Sequence, residues 1–150
     1  MTKFADLSEK GAYLRLPKID AQEVRLLWHV NFWDIPLNGV VRYKEQKHWF
    51  EICDGQDEED KYVRYAIVEI MPEQLKVEEY WHNLFRDKVG HHTDFDEHGK
   101  RVGVVKPKAT HNEFYESYKQ SGYKHDFFSN SVLGWFDFDE YFTFVGSTHG

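Results

Sequence analysis

Histidines and carboxylates crowd together at two places in this chain, histidines and aromatics share a third, a run of bare carboxylates lies at a fourth, and each grouping suggests a different chemistry. The run His91-His92-Thr93-Asp94-Phe95-Asp96-Glu97-His98 holds imidazoles and carboxylates, the side chains that ligate divalent cations. Its spacing matches neither His-Glu-x-x-His nor an EF-hand loop. A solvated loop is the better reading, and no metal is expected. Glu78, Glu79 and His82 stand three and four residues apart, so on a helix both carboxylates reach the imidazole. Glu-x-x-His is half of a di-iron site whose other half needs further helices of a bundle. This chain has too few, and a surface ion pair is expected.

The third grouping is His29, Trp33, Tyr43, His48 and Trp49, spread along aromatic-rich strands. If His29 and His48 share a face of neighbouring strands, they could hold an anion or move a proton near neutral pH. The fourth is Asp54, Asp57, Glu58, Glu59 and Asp60, which with Glu51 place six carboxylates within ten residues. Such a field sets association rate and partner choice for a cationic surface.

Several fingerprints are missing. The glycines are scattered, no Gly-x-Ser-x-Gly elbow occurs, and no Cys-x-x-Cys pair exists. The usual nucleotide, flavin and hydrolase signatures are therefore lacking, and no cofactor is expected. The one cysteine, Cys53, can form no internal disulfide, which suits a reducing compartment, the cytoplasm. It ends a predicted strand beside the acidic loop, a setting that raises a thiol pKa and makes it inert. The first residues lack the apolar core of a secretory signal, and no apolar run is long enough to span a membrane.

Net charge is −7, and residues 51–100 carry 14 acidic against 6 basic groups. Nucleic acid would be repelled there and a basic partner attracted. These features favour a small, soluble, non-catalytic interaction protein. It would bind, and could inhibit, a protein partner with a basic surface, using Asp54, Asp57, Glu58, Glu59 and Asp60. The alternative is a small enzyme or ligand-binding protein with an aromatic pocket at His29, Trp33, Tyr43, His48 and Trp49. Oligomeric state is not legible.

The elements that must position these groups are read from periodicity. Val24–Trp33 alternates as a strand, with Val24, Leu26, Trp28, Val30 and Phe32 on one apolar face. Asp34–Gly39 reads as a break, because Pro36 cannot donate and Asn38-Gly39 is a strong turn signal. Val40–Lys44 returns, Glu45-Gln46 turns, and Lys47–Cys53 and Tyr62–Ile70 follow as strands, the last buried on both sides and so central. Ala12–Ile19 reads as a short edge strand and Asp20–Glu23 as a turn. Pro72 to Val89 is the best helix, with proline in the first turn, a stripe of Val77, Trp81, Leu84, Phe85 and Lys88, and Gly90 as its stop. Gly90–Gly99 is a polar loop and Arg101–Val105 a short strand. Thr110-x-x-Glu113 is a capping box opening a second helix to about Gln120. Residues 132–145 fit strand or short helix.

One α+β domain of 150 residues follows: an antiparallel meander of four or five strands with two main helices on one face. Its core is built from large plates, since 26 residues are aromatic and only 5 are alanine. Trp28 and Trp81 are both expected to be core residues.

Overall fold

The computed structural model describes residues 1–33, 35–57, 59–90, 93–95, 101–104 and 110–138. The elements are β1 (Val24–Trp33), β2 (Ile35–Tyr43), β3 (Gln46–Asp54), β4 (Arg64–Val68), α1 (Pro72–Lys88), β5 (Thr93–Phe95), β6 (Arg101–Val104), α2 (His111–Ser121) and β7 (Val132–Asp137). Five strands form one antiparallel sheet in the order β1-β2-β3-β4-β7, and β5 pairs with β6. The protein is α+β, as the pattern predicts. Among the described residues two compact units stand out, one of residues 1–70 and 127–138, the other of residues 71–126. No described helix is long and apolar enough to cross a membrane.

In the sheet unit, β1 and β2 run where alternation puts a strand and its return, but the turn lies elsewhere than expected. Asn38 and Gly39 are inside β2, opposite Asn31 and His29, and Trp33 pairs with Ile35. Gly39 answers a close approach rather than a turn. A Cβ there would stand 2.2 Å from the Trp28 carbonyl oxygen and 2.6 Å from the His29 Cα. Pro36 is tolerated because the β3 ladder starts only at Asn38, so its ring meets a partner strand on one side alone. The β2–β3 turn is Lys44-Glu45, one residue earlier than read. Both have positive φ, 50° and 65°, the geometry of a two-residue hairpin turn.

The apolar face expected of β1 is split by a bulge. Leu26 pairs with Val41, and Trp28 pairs with the neighbouring Val40. Adjacent residues of β2 point to opposite faces, so Leu26 and Trp28 do too. Val24 and Leu26 join the cluster of Val41, Tyr43, Phe50, Tyr65, Ile67 and Phe136. Trp28 belongs to the row Val40, Trp49, Val68 and Val132 on the other face. Trp28 is a core residue, 7% exposed. β4 is buried on both faces from Tyr65 to Val68, as read, although β3 is the middle strand.

The expected edge strand at 12–19 is a 3-10 turn, Ala12–Arg15, followed by a single parallel bridge from Lys18 to Trp135. The Trp135 N–H donates to the Pro17 carbonyl at 3.0 Å and the Ile19 N–H to the Trp135 carbonyl at 2.7 Å. Gly134 admits this chain, since a Cβ would lie 2.5 Å from the Pro17 oxygen. Residues 17–19 thus cover part of the outer edge of β7, which would otherwise present unpaired groups. Asp20 caps a short 3-10 turn at Ala21–Glu23, its carboxylate accepting from the Gln22 N–H.

In the other unit, α1 starts at Pro72 and the Gln74 side chain accepts from the Met71 N–H at 2.9 Å. Gly90 at φ 91° ends it. The stripe is narrower than read. Val77 is 40% exposed, while Trp81, Leu84 and Phe85 are half-buried. Trp81 meets the rings of Phe114, Tyr118 and Tyr123, so it is a helix-interface residue rather than fully buried core. The residue of α1 that is buried is Glu78. The capping box at α2 does not form. Thr110 sits at the N-cap in a helical conformation rather than the extended one a capping side chain needs. Its hydroxyl donates instead to the Lys88 carbonyl at 2.5 Å, and Glu113 pairs with the Lys88 ammonium at 3.3 Å. Both box residues tie the start of α2 to the end of α1. Thr93–Phe95 is strand inside the expected loop; His91, His92, Asp96, Glu97 and His98 lie outside the described residues. Residues 132–137 are strand, and from 139 onward the chain lies outside them.

Candidate functional site

β3 delivers its last residue, Asp54, to the centre of a polar network. The Asp54 carboxylate accepts from the Tyr13 hydroxyl at 2.6 Å, the Gly55 N–H at 2.8 Å and the Tyr62 hydroxyl at 3.2 Å. Burial pushes its pKa up, but these hydrogen bonds outweigh that and hold the carboxyl below its ordinary range. The Tyr13 hydroxyl in turn accepts from Arg64 at 2.7 Å, and Arg64 pairs with Asp137 at 3.0 Å. The Arg64 guanidinium lies 4.1 Å from the Tyr62 ring centre and 4.9 Å from that of Trp135, within cation–π range. Burial first, then Asp54, pushes the Tyr13 hydroxyl up to about 12. Asp54 is therefore a fixed anion.

Beyond it the acidic loop folds on itself. The Asp60 N–H donates to the Asp57 carbonyl at 3.0 Å, and the Asp57 N–H to the Asp60 carboxylate at 3.3 Å. Glu59 is exposed, and Glu58 lies outside the described residues. The loop borders a groove of about 560 Å³, in the size range of ligand sites. Phe4, Leu7, Ile52 and Phe128 supply apolar lining. Phe4 and Phe128 stack at 5.4 Å between centroids, with Phe128 still 53% exposed. Glu9, Asp54, Asp57 and Asp60 supply carboxylates, and Lys10 is the cation among the lining residues. Such a groove suits a ligand with a positive charge next to an apolar group. No histidine is among its lining residues within the described chain.

Cys53 also lines the groove. Burial, followed by the Asp54 charge, pushes its thiol up to about 12, as the sequence reading expects. At pH 8 the folded protein should alkylate with iodoacetamide roughly a hundredfold or more slower than an unperturbed thiol, because little thiolate is present. Full reactivity should return in denaturant. Equal rates in both states would show an accessible, unperturbed thiol.

The alternative pocket residues are placed as follows. His29 pairs with Gly39 and His48 with Val41, so both lie on the cluster face. They are separated by the width of β2 and by two residues along it, roughly 12 Å. Tyr43 and His48 come together, their rings 6.2 Å apart. Burial lowers the His48 pKa. Trp49 points to the opposite face, packed 4.5 Å from Phe127. The Trp33 side chain lies outside the described residues.

In the helical unit the expected surface ion pair is corrected for Glu78. Glu78 is 1% exposed. Its carboxylate accepts from His125 Nδ1 at 2.7 Å and from the Tyr123 hydroxyl. His125 Nε2 meets the Tyr118 hydroxyl. Sequence reasoning missed His125 because it lies far along the chain from Glu78. It missed Tyr13, Arg64, Phe4 and Phe128 for the same reason.

Comparison with family models, with curated proteins and with solved structures returns no match. What fold and site define is an α+β protein with an acidic, apolar-lined groove at the end of β3.

Proposed function

We propose that this is a non-catalytic interaction protein that docks a protein partner through the groove beside Asp54–Asp60, the partner bringing a basic surface. The observation that carries this reading is the meeting of the Glu9, Asp54, Asp57 and Asp60 carboxylates with the exposed Phe128 ring, stacked on the buried Phe4, along one cavity. Carboxylates steer a cationic partner and the apolar lining holds it. Covering a partner's basic surface would make the protein its inhibitor. Nucleic acid does not fit, because the groove repels phosphate. A cytoplasmic setting goes with this reading, since the single thiol forms no internal bridge.

The test replaces Asp57, Glu58, Glu59 and Asp60 with neutral residues, leaving Asp54 in its network. Partners captured by the wild type from native lysate are purified and their association measured against both proteins. The variant should fold normally and associate roughly tenfold slower at low salt, the two rates converging as salt rises. Equal rates at low salt would remove the loop from the interface.

A small enzyme is the second reading, and the arrangement that favours it is Tyr118–His125–Glu78, a hydroxyl, an imidazole and a carboxylate in line. Burial, then the Glu78 charge, pushes the Tyr118 hydroxyl up to about 12. It stays protonated at neutral pH and is not poised as a nucleophile. We read the network as structural.

A further inference from the structure

Lys10 is a cation already seated among the groove's carboxylates. Its ammonium lies 4.0 Å from the Asp57 carboxylate, and the two side chains are 70% and 77% exposed. Its charge also reaches Asp54 at the end of β3 and Tyr62 just before β4. The contact is long and solvated, so it is weak. It nevertheless occupies a place beside Asp57 that an incoming positive charge would also take. Resting on the docking reading above, we propose that Lys10 is a built-in competitor of the partner's cationic anchor. The anchor is a lysine or arginine side chain with an apolar neighbour, the charge displacing Lys10 from Asp57 and the neighbour seating on Phe128.

Asp54 and Asp57 present different surfaces to such an anchor. Asp54 already accepts three hydrogen bonds, whereas among the described residues the Asp57 carboxylate meets the side chain of Lys10 alone. Asp57 is therefore the carboxylate that can be re-paired without dismantling the network around Arg64. Exchanging one exposed ion pair for another gains little in charge alone. Affinity and selectivity then come from the apolar neighbour, and Lys10 sets a threshold that a bare cation does not pass.

The probes are the capped dipeptides acetyl-Arg-Phe-amide, acetyl-Gln-Phe-amide and acetyl-Arg-Gly-amide, titrated into isotopically labelled full-length protein and followed by amide shifts. Acetyl-Arg-Phe-amide should move the Gly55 and Asp57 amides most. Lys10→Ala should tighten it roughly two- to fivefold, the worth of one exposed ion pair. Arg42→Gln makes the same charge change at an exposed site opposite Lys47 near the other end of β3, roughly 24 Å of extended strand from Asp54, and should leave affinity unchanged. Equal affinity in wild type and Lys10→Ala, or equal tightening by both variants, would overturn the role of Lys10 and leave the groove reading standing. Equal binding of the Gln and Arg peptides to Lys10→Ala, where no resident cation offsets the incoming charge, would overturn the cationic anchor, and with it both readings. Absence of any shift with all three peptides would do the same.

Discussion

Trp49→Ala is expected to cost the sheet unit roughly 3–5 kcal/mol, the usual loss for a large buried aromatic. Trp49 is fully buried in the middle strand, with Val40 and Val68 on either side and the Phe127 ring at 4.5 Å. Its indole N–H is satisfied by Glu51 at 3.2 Å, so truncation removes a hydrogen bond as well as a ring. Urea unfolding followed by circular dichroism reads the change, with an unchanged slope showing that stability and not compactness moved. Trp28→Ala should fall in the same range. Trp81, half-buried, should lose less, roughly 1–3 kcal/mol. A cost below ~1 kcal/mol at Trp49 would mean that this face of the sheet is not packed as described.

Glu78→Ala should be comparably severe in the helical unit, about 3–5 kcal/mol, because it takes one partner from a buried pair. The Tyr123 hydroxyl and the His125 Nδ1–H would both lose their acceptor, and buried donors left unmade are costly. Glu78→Gln keeps the shape and one acceptor oxygen, and should lose only about 1–3 kcal/mol. Hydrogen exchange at the α1 and α2 amides localises the loss. If alanine and glutamine cost the same, and less than ~1 kcal/mol, Glu78 is not holding His125 and Tyr123 in place.

Local signals located most strands and both helices. Alternation found β1 and β3, and Pro72 with Gly90 bracketed α1, because those signals act within a few residues. What failed was anything set by a neighbour distant in sequence. Asn38-Gly39 has the chemistry of a turn, but Gly39 is required by the backbone of Trp28 across the strand pair. The alternation of β1 hides its bulge, since both faces are apolar enough to accept either register. The acidic loop was plain in the sequence, whereas the groove was not. Its apolar lining comes from Phe4, Ile52 and Phe128, three segments that only the fold unites. Glu78 looked like an exposed helix glutamate because its acceptor role depends on residues beyond α2.

The pairing of β4 with β7 has a consequence for modularity. Val68 faces Val132, the Glu69 N–H donates to the Ser131 carbonyl at 2.8 Å, and the Asn130 amide donates to the Glu69 carbonyl at 2.7 Å. The two strands are thus the arms of a hairpin whose connection has swollen into the entire helical unit. Closing a long connection costs only slightly more than closing a short one. The stem leaves the sheet and re-enters it through adjacent hydrogen-bonded residues. In architectural terms residues 71–126 are a cassette inserted into a tip. Such tips are where chains accept foreign segments, lose them or trade them, while the ladder beneath stays the same.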